Sequence, residues 1–179
     1  MIPEGPERAQ GRATMSEFTA DEVRELRKLL EIEKIRKVKN MYSHLMDGRD
    51  IPALASIVAE DCVCIFGPYG TWTGRDQIHK GWAEVFKDAI PYGGFHATTN
   101  MWIEMTSDTY AISRTYLHDI SMEQDPRGAN PVVWYGTYDE DYEKVGGEWK
   151  IKKCVLQFLW PKRLVSDDYP RKMTPTSFG

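Results

Sequence analysis

The chain has 179 residues, 41% of them hydrophobic and 28% charged, which is the composition of a single globular domain able to bury a core. Its 23 Lys and Arg against 27 Asp and Glu give a net charge of −4 with no basic block, so nucleic acid is not expected as a partner. No stretch has the apolar length of a membrane span, the first residues lack a signal peptide's apolar region, and three cysteines without metal or disulfide spacing fit a reducing compartment; the cytoplasm is the expected location.

Residues 1–18 are rich in Pro, Gly, Glu and Arg without an apolar period and are expected to form a loose tail, with Met15 as an alternative start. Thr19-Ala20-Asp21-Glu22 is a capping box, and the helix it opens is expected to run to about Met46 with Gly48 as its stop signal. Its core stripe takes in Ile35, Val38, Tyr42 and Leu45. Asp50 caps a short second helix with Pro52 in its first turn and Leu54, Ile57 and Val58 on its apolar face. A strand over Cys62–Phe66, a Gly/Pro turn and a short return over Thr71–Thr73 form a hairpin. Cys62 and Cys64 share one face of that strand. A third helix opens at Gly74 and turns Ile78, Trp82, Val85 and Phe86 inward.

The second half reads as four long antiparallel strands, His96–Thr106, Thr109–Met122, Val132–Lys144 and Glu148–Trp160. Turns at Ser107-Asp108, Asp125-Pro126-Arg127-Gly128 and Gly146-Gly147 separate them. Helices first and a meander last define an α+β fold, a cone-shaped barrel of curved antiparallel sheet around three N-terminal helices. The domain is expected to span 19–160, and the Pro-punctuated segment 161–179 to form a tail, a pocket lid or a subunit contact.

Several ionisable residues interrupt these apolar segments. Tyr42 and Asp47 close the first helix, His96 opens a strand and Asp119 sits in the next. A phenol, an imidazole and two carboxylates gathered inside an apolar fold can move protons without a cofactor. Each also has a plainer reading: Tyr42 as a core aromatic, Asp47 as a turn-capping carboxylate, His96 as a strand-end residue bonded to backbone, and Asp119 as a rim residue paired to Arg114 or Lys152. His118 and Asp119 point to opposite faces, and Asp119 is assigned inward with Ser113, Thr115 and Leu117. No His-Glu-x-x-His motif, dinucleotide fingerprint or phosphate loop occurs, so no metal or nucleotide cofactor is expected.

Five groups of residues carry a family resemblance: Tyr42-x-x-x-x-Asp47-Gly48-x-Asp50, Ala59-Glu60-Asp61-Cys62-Val63 and Gly74-Arg75-Asp76-Gln77-Ile78 in the first half, with His96-Ala97-Thr98-Thr99-Asn100 and Tyr142-Glu143-Lys144-x-x-Gly147-x-Trp149-Lys150-Ile151 in the second. Over roughly residues 21–160 the chain resembles SnoaL-like domains of the nuclear-transport-factor-like superfamily, whose fold is a cone. Its polar set is most similar to the bile-acid dehydratase and scytalone dehydratase branch. There a tyrosine and an aspartate end the first helix, a histidine starts one strand, and an aspartate follows in the next, as in Tyr116-Leu117-His118-Asp119. The resemblance departs at Phe158, where the bile-acid enzyme has an arginine, which points to a neutral ring rather than an anion.

The resemblance implies a cofactor-independent lyase for a small hydrophobic, aromatic or alicyclic hydroxy compound, by dehydration or by loss of formaldehyde from a lignin-derived aromatic diol. In that reading His96 is the base, Asp119 fixes its tautomer, Tyr42 polarises the substrate oxygen and Asp47 supports them. Trp134, Phe158, Trp160 and Tyr116 are assigned to the substrate pocket. A ketosteroid-isomerase-like proton shuttle and a non-catalytic binding module are the alternatives. Family analogy also implies a homodimer or homotrimer.

Overall fold

The structure, a computed structural model, describes residues 18–122, 131–165 and 169–172. The expected tail, apart from Phe18, and the expected turn Asp125–Gly128 lie outside the described residues. Three helices pack against a curved, unclosed six-stranded sheet of mostly antiparallel strands, the expected α+β cone.

Helix α1 (Ala20–Gly48) starts at the capping box, where Thr19 Oγ1 accepts from the Glu22 N–H at 3.2 Å and Glu22 Oε2 accepts from the Thr19 N–H at 2.7 Å. Its C-cap lies one residue beyond the expected glycine. Arg49 takes the left-handed conformation (φ 57°), and its backbone N–H donates to the carbonyls of Leu45 and Met46. The Arg49 side chain secures this turn by donating from Nη1 to the Met46 carbonyl (2.8 Å) and lying over the Phe86 ring (4.3 Å).

The first half of α1 leaves Leu26, Leu29 and Leu30 exposed, and only its second half enters the core. There Ile35, Lys39, Tyr42, Ser43, Met46 and Asp47 are buried, whereas the expected Val38 and Leu45 sit on the flank. The stripe is rotated because Lys39, which hydropathy would send to solvent, meets Glu140 inside the cone. The Lys39 Nζ to Glu140 Oε1 distance is 2.7 Å, and the two side chains are 1% and 0% exposed. Tyr142 also donates to Glu140 (2.9 Å), and the ammonium lies 3.5 Å from the Tyr138 ring centre and 4.4 Å from that of Tyr42. Burial of this pair is tolerable because nearly every polar atom in it has a partner.

Helix α2 (Ile51–Ser56) is capped by Asp50, whose side chain accepts from the Ala53 N–H. Strand β1 (Val58–Ile65) begins earlier than expected and pairs antiparallel with β2 (Thr71–Thr73) across a 3-10 turn, Gly67–Tyr69. Cys62 and Cys64 share its buried face, with sulfurs 3.9 Å apart and no disulfide. Helix α3 (Arg75–Val85) buries Ile78 and Trp82; Phe86 is half-buried, and Val85, 41% exposed, lies on the cavity rather than in the core.

The four long strands match their expected limits closely: β3 (Gly94–Ser107), β4 (Tyr110–Ser121), β5 (Val132–Val145) and β6 (Glu148–Trp160). The sheet order is β2-β1-β6-β5-β4-β3, and β1 joins β6 in parallel, with Cys64 beside Cys154. This parallel joint was not expected, since local alternation specifies strands but not which distant strand pairs with which. Leu164 exchanges two backbone hydrogen bonds with Phe158, and Arg171 reaches Asp141 on the outer face, so the described part of the final segment does not line the cavity. Among the described residues no helix is long and apolar enough to cross a membrane.

Lys39→Met should destabilise the fold by about 3–5 kcal/mol because it strands a buried carboxylate, and adding Glu140→Leu should restore most of that loss. Urea denaturation of the single and double variants checks both. A second link joins α1 to the β5–β6 hairpin: Glu31 accepts from Lys144, Lys34 and Trp149, each at 2.7 Å, and these bonds push its carboxyl down to about 2. A carboxyl lowered on folding stabilises above its unfolded value and loses that contribution as pH falls. Glu31→Gln should therefore lower Tm at neutral pH, and its difference from wild type should shrink between about pH 4.5 and 2.

Candidate active site

The long strands bring the sequence-selected residues into one row across the concave face. His96 on β3 is the cross-strand partner of Asp119 on β4, and Asp119 is the partner of Trp134 on β5. Phe158 on β6 continues the row, its ring 5.1 Å from that of Trp134. Gly94 makes the approach of β3 to β4 possible, because a Cβ there would lie 2.3 Å from the Ile120 carbonyl oxygen.

The partner of His96 differs from the expected one. Asp47 Oδ1 lies 2.7 Å from His96 Nδ1 and accepts from the His96 backbone N–H at 3.0 Å. Asp119 Oδ2 is 3.9 Å from His96 Nε2, beyond a hydrogen bond. Asp47 is therefore the residue that sets the tautomer, a task the sequence reading gave to Asp119. With a carboxylate on Nδ1, the proton of the neutral ring sits there, and the Nε2 lone pair faces the cavity. Asp119 has its carboxyl raised above the usual carboxylate range by burial and by the Asp47 charge, while His96 and Arg49 oppose the shift.

These groups open on a cavity of about 340 Å³, within the range of small-molecule sites. Its walls are largely aromatic, with Phe66, Trp72, Trp82, Phe86, Trp134 and Phe158 among them. Tyr42 lies at the floor, 1% exposed and edge-on to Trp82 and Tyr138. Burial pushes the Tyr42 phenol well above its ordinary value.

Two assigned pocket residues are placed elsewhere. Tyr116 lies on the outer face with His118, as its parity relative to Asp119 requires, and is 48% exposed. Trp160 is 52% exposed and packs on Tyr135. A register shift pairs Phe158 with Gly136 but Trp160 with Tyr135, so residues two apart on β6 no longer share a face.

The sequence reading missed Arg49 and Tyr69, both on the cavity wall. Arg49 was hidden by placing the helix stop at Gly48, and Tyr69 by treating Gly67–Tyr69 as a plain turn. Arg49 brings a guanidinium to the cavity wall, where Phe158 alone had pointed to a neutral ring rather than an anion. Among the described residues no three His, Cys, Asp or Glu side chains are grouped to hold a metal ion.

A family model for the SnoaL-like domain matches residues 27–155, and the chain belongs to that family. Solved structures share its fold. A proposed scytalone dehydratase from Novosphingobium aromaticivorans is 27% identical with a TM-score of 0.66, over 74% of this chain and 86% of that one. An NTF2-like protein with a cystatin-like fold from the same species is 17% identical with a TM-score of 0.70, over 82% and 94%. The hexachlorocyclohexane dehydrochlorinase LinA-type3 from Novosphingobium barchaimii is 19% identical with a TM-score of 0.62, over 79% and 99%.

Asp47→Ala should cost about 1–3 kcal/mol, because it leaves the His96 backbone N–H without its acceptor. Asp47→Asn, which keeps an acceptor oxygen, should cost less than the alanine variant in urea denaturation.

Proposed function

We propose that this protein is a cofactor-independent lyase that eliminates water from a small hydrophobic, aromatic or alicyclic hydroxy compound. The observation that carries the reading is the pairing of His96 with Asp47 on one ring nitrogen while the other faces an aromatic cavity beside a partly buried carboxyl. In the reaction His96 Nε2 takes a proton from carbon, and Asp47 stabilises the imidazolium that forms. The C–H electron pair becomes the new C=C bond and the C–O bond breaks. Asp119, favoured in its neutral form by burial, gives its proton to the leaving hydroxyl, which departs as water. His96 then returns a proton to Asp119 across the gap between them, and both groups are reset.

The dehydratase and dehydrochlorinase named among the similar structures perform eliminations by their names, which supports this reaction class. The same groups could remove the proton of an aromatic diol and release formaldehyde by carbon–carbon cleavage. Tyr42 is assigned to the cavity floor rather than to the substrate oxygen, since it is 1% exposed and packed edge-on against Tyr138.

Screening aromatic and alicyclic hydroxy compounds by mass should find a product lighter by one water. A product lighter by formaldehyde would select the carbon–carbon cleavage, and an unchanged mass with an altered spectrum would select isomerisation. On that substrate His96→Ala should lose turnover by about two orders of magnitude or more; unchanged turnover would remove His96 from the reaction. Because Asp119 acts while protonated, activity should fall as pH rises through its raised pKa, and Asp119→Asn should abolish that limb of the profile.

A further inference from the structure

Tyr69 is the residue on the cavity that neither the fold nor the proposed reaction has used. It ends the 3-10 turn between β1 and β2 and lies at the mouth, 52% exposed. The turn is closed by backbone bonds from Tyr69 to Phe66 (3.1 Å), Gly70 to Gly67 (3.1 Å) and Phe66 to Gly70 (2.9 Å). Its ring stands 6.3 Å from that of Phe158, the far end of the row that starts at His96. Gly67, at φ 56°, presses this turn onto Phe158, where a Cβ would lie 3.2 Å from the ring. Tyr69 is thus held on the cavity by the backbone as well as by its own packing.

Three phenols therefore face the same space, and they are not equivalent. The Tyr42 and Tyr138 rings are packed edge-on in the floor, 1% and 2% exposed. The Tyr69 hydroxyl makes no hydrogen bond to another described residue, and its phenol is raised by partial burial and by the Asp119 charge. A phenol that stays protonated is a hydrogen-bond donor.

We infer that Tyr69, from the mouth turn, is the substrate-contacting phenol of this site and donates a hydrogen bond to an acceptor oxygen on an aromatic ligand. Resting on the cavity reading above, this assigns the ligand class as a flat ring carrying an ether, carbonyl or hydroxyl oxygen towards the mouth, while its reacting carbon lies by His96. Phe158 and Trp134 offer ring faces between the two ends, and Tyr69 closes over Phe158.

The test compares two probes of matched shape, 2-acetonaphthone with an acceptor oxygen and 2-ethylnaphthalene without one, titrated against the full chain by tryptophan fluorescence quenching. Wild type should bind the ketone about fivefold more tightly than the hydrocarbon, as one net hydrogen bond allows. Tyr69→Phe should erase that preference while leaving 2-ethylnaphthalene affinity unchanged, which also reports an intact cavity. Tyr42→Phe should keep the preference. Retention of the preference in Tyr69→Phe, or its loss in Tyr42→Phe alone, would overturn the assignment. Equal binding of the two probes by wild type would overturn it as well, while leaving the aromatic cavity standing. Failure of both probes to bind would overturn the cavity reading and the role of Tyr69 together.

Discussion

One carboxylate, Asp47, joins the end of the long helix to the start of the sheet. Its side chain holds both the backbone N–H and the ring of His96, and its own carbonyl accepts from the Tyr92 N–H at 2.7 Å. The last turn of α1 is thereby fastened at three points, two on His96 of β3 and one on Tyr92 just before that strand. Everything that faces the cavity from β3 outward inherits its position from that joint. The orientation of His96, the approach of Asp119 beside it and the placing of Trp134 and Phe158 along the same row all follow.

Charge is handled differently at the two depths of the cone. Deep inside, Lys39 and Glu140 neutralise each other and are wrapped by Tyr42, Tyr138 and Tyr142. That cluster is closed, and it fixes the two phenols that form the cavity floor. Beside the cavity the groups remain open: Asp119 lies short of hydrogen-bond reach of His96, and its burial raises its pKa. A carboxyl and an imidazole kept apart in this way can exchange protons with a ligand placed between them, whereas a closed ion pair cannot. The proposed reaction depends on that separation.

Much of the fold was legible in the sequence because its signals are local. The Thr19–Glu22 box, the Asp50 cap, the Gly146-Gly147 turn and the alternation of the four long strands each depend on neighbouring residues. The pairing of β1 with β6 and the inward turn of Lys39 depend on residues far along the chain, and no local pattern encodes them. Within the site, family spacing singled out His96, Asp119, Tyr42 and Asp47, and the structure brings all four to one end of the cone. Spacing did not say which carboxylate is the partner of His96, because that is settled in three dimensions, by 2.7 Å to Asp47 against 3.9 Å to Asp119. Trp160 was misplaced because a register shift breaks the period-two rule, and Tyr116 because similarity of motif was given more weight than its parity.

The most direct measurement is the ¹⁵N NMR signature of the His96 ring in the intact protein, with Asp47→Asn as the comparison. The Asp47–His96 joint predicts that the neutral ring carries its proton on Nδ1 and leaves Nε2 bare, and that Asp47→Asn weakens or reverses this preference. A neutral His96 protonated on Nε2 in the wild-type protein would contradict it, since the nitrogen facing the cavity could then accept no proton.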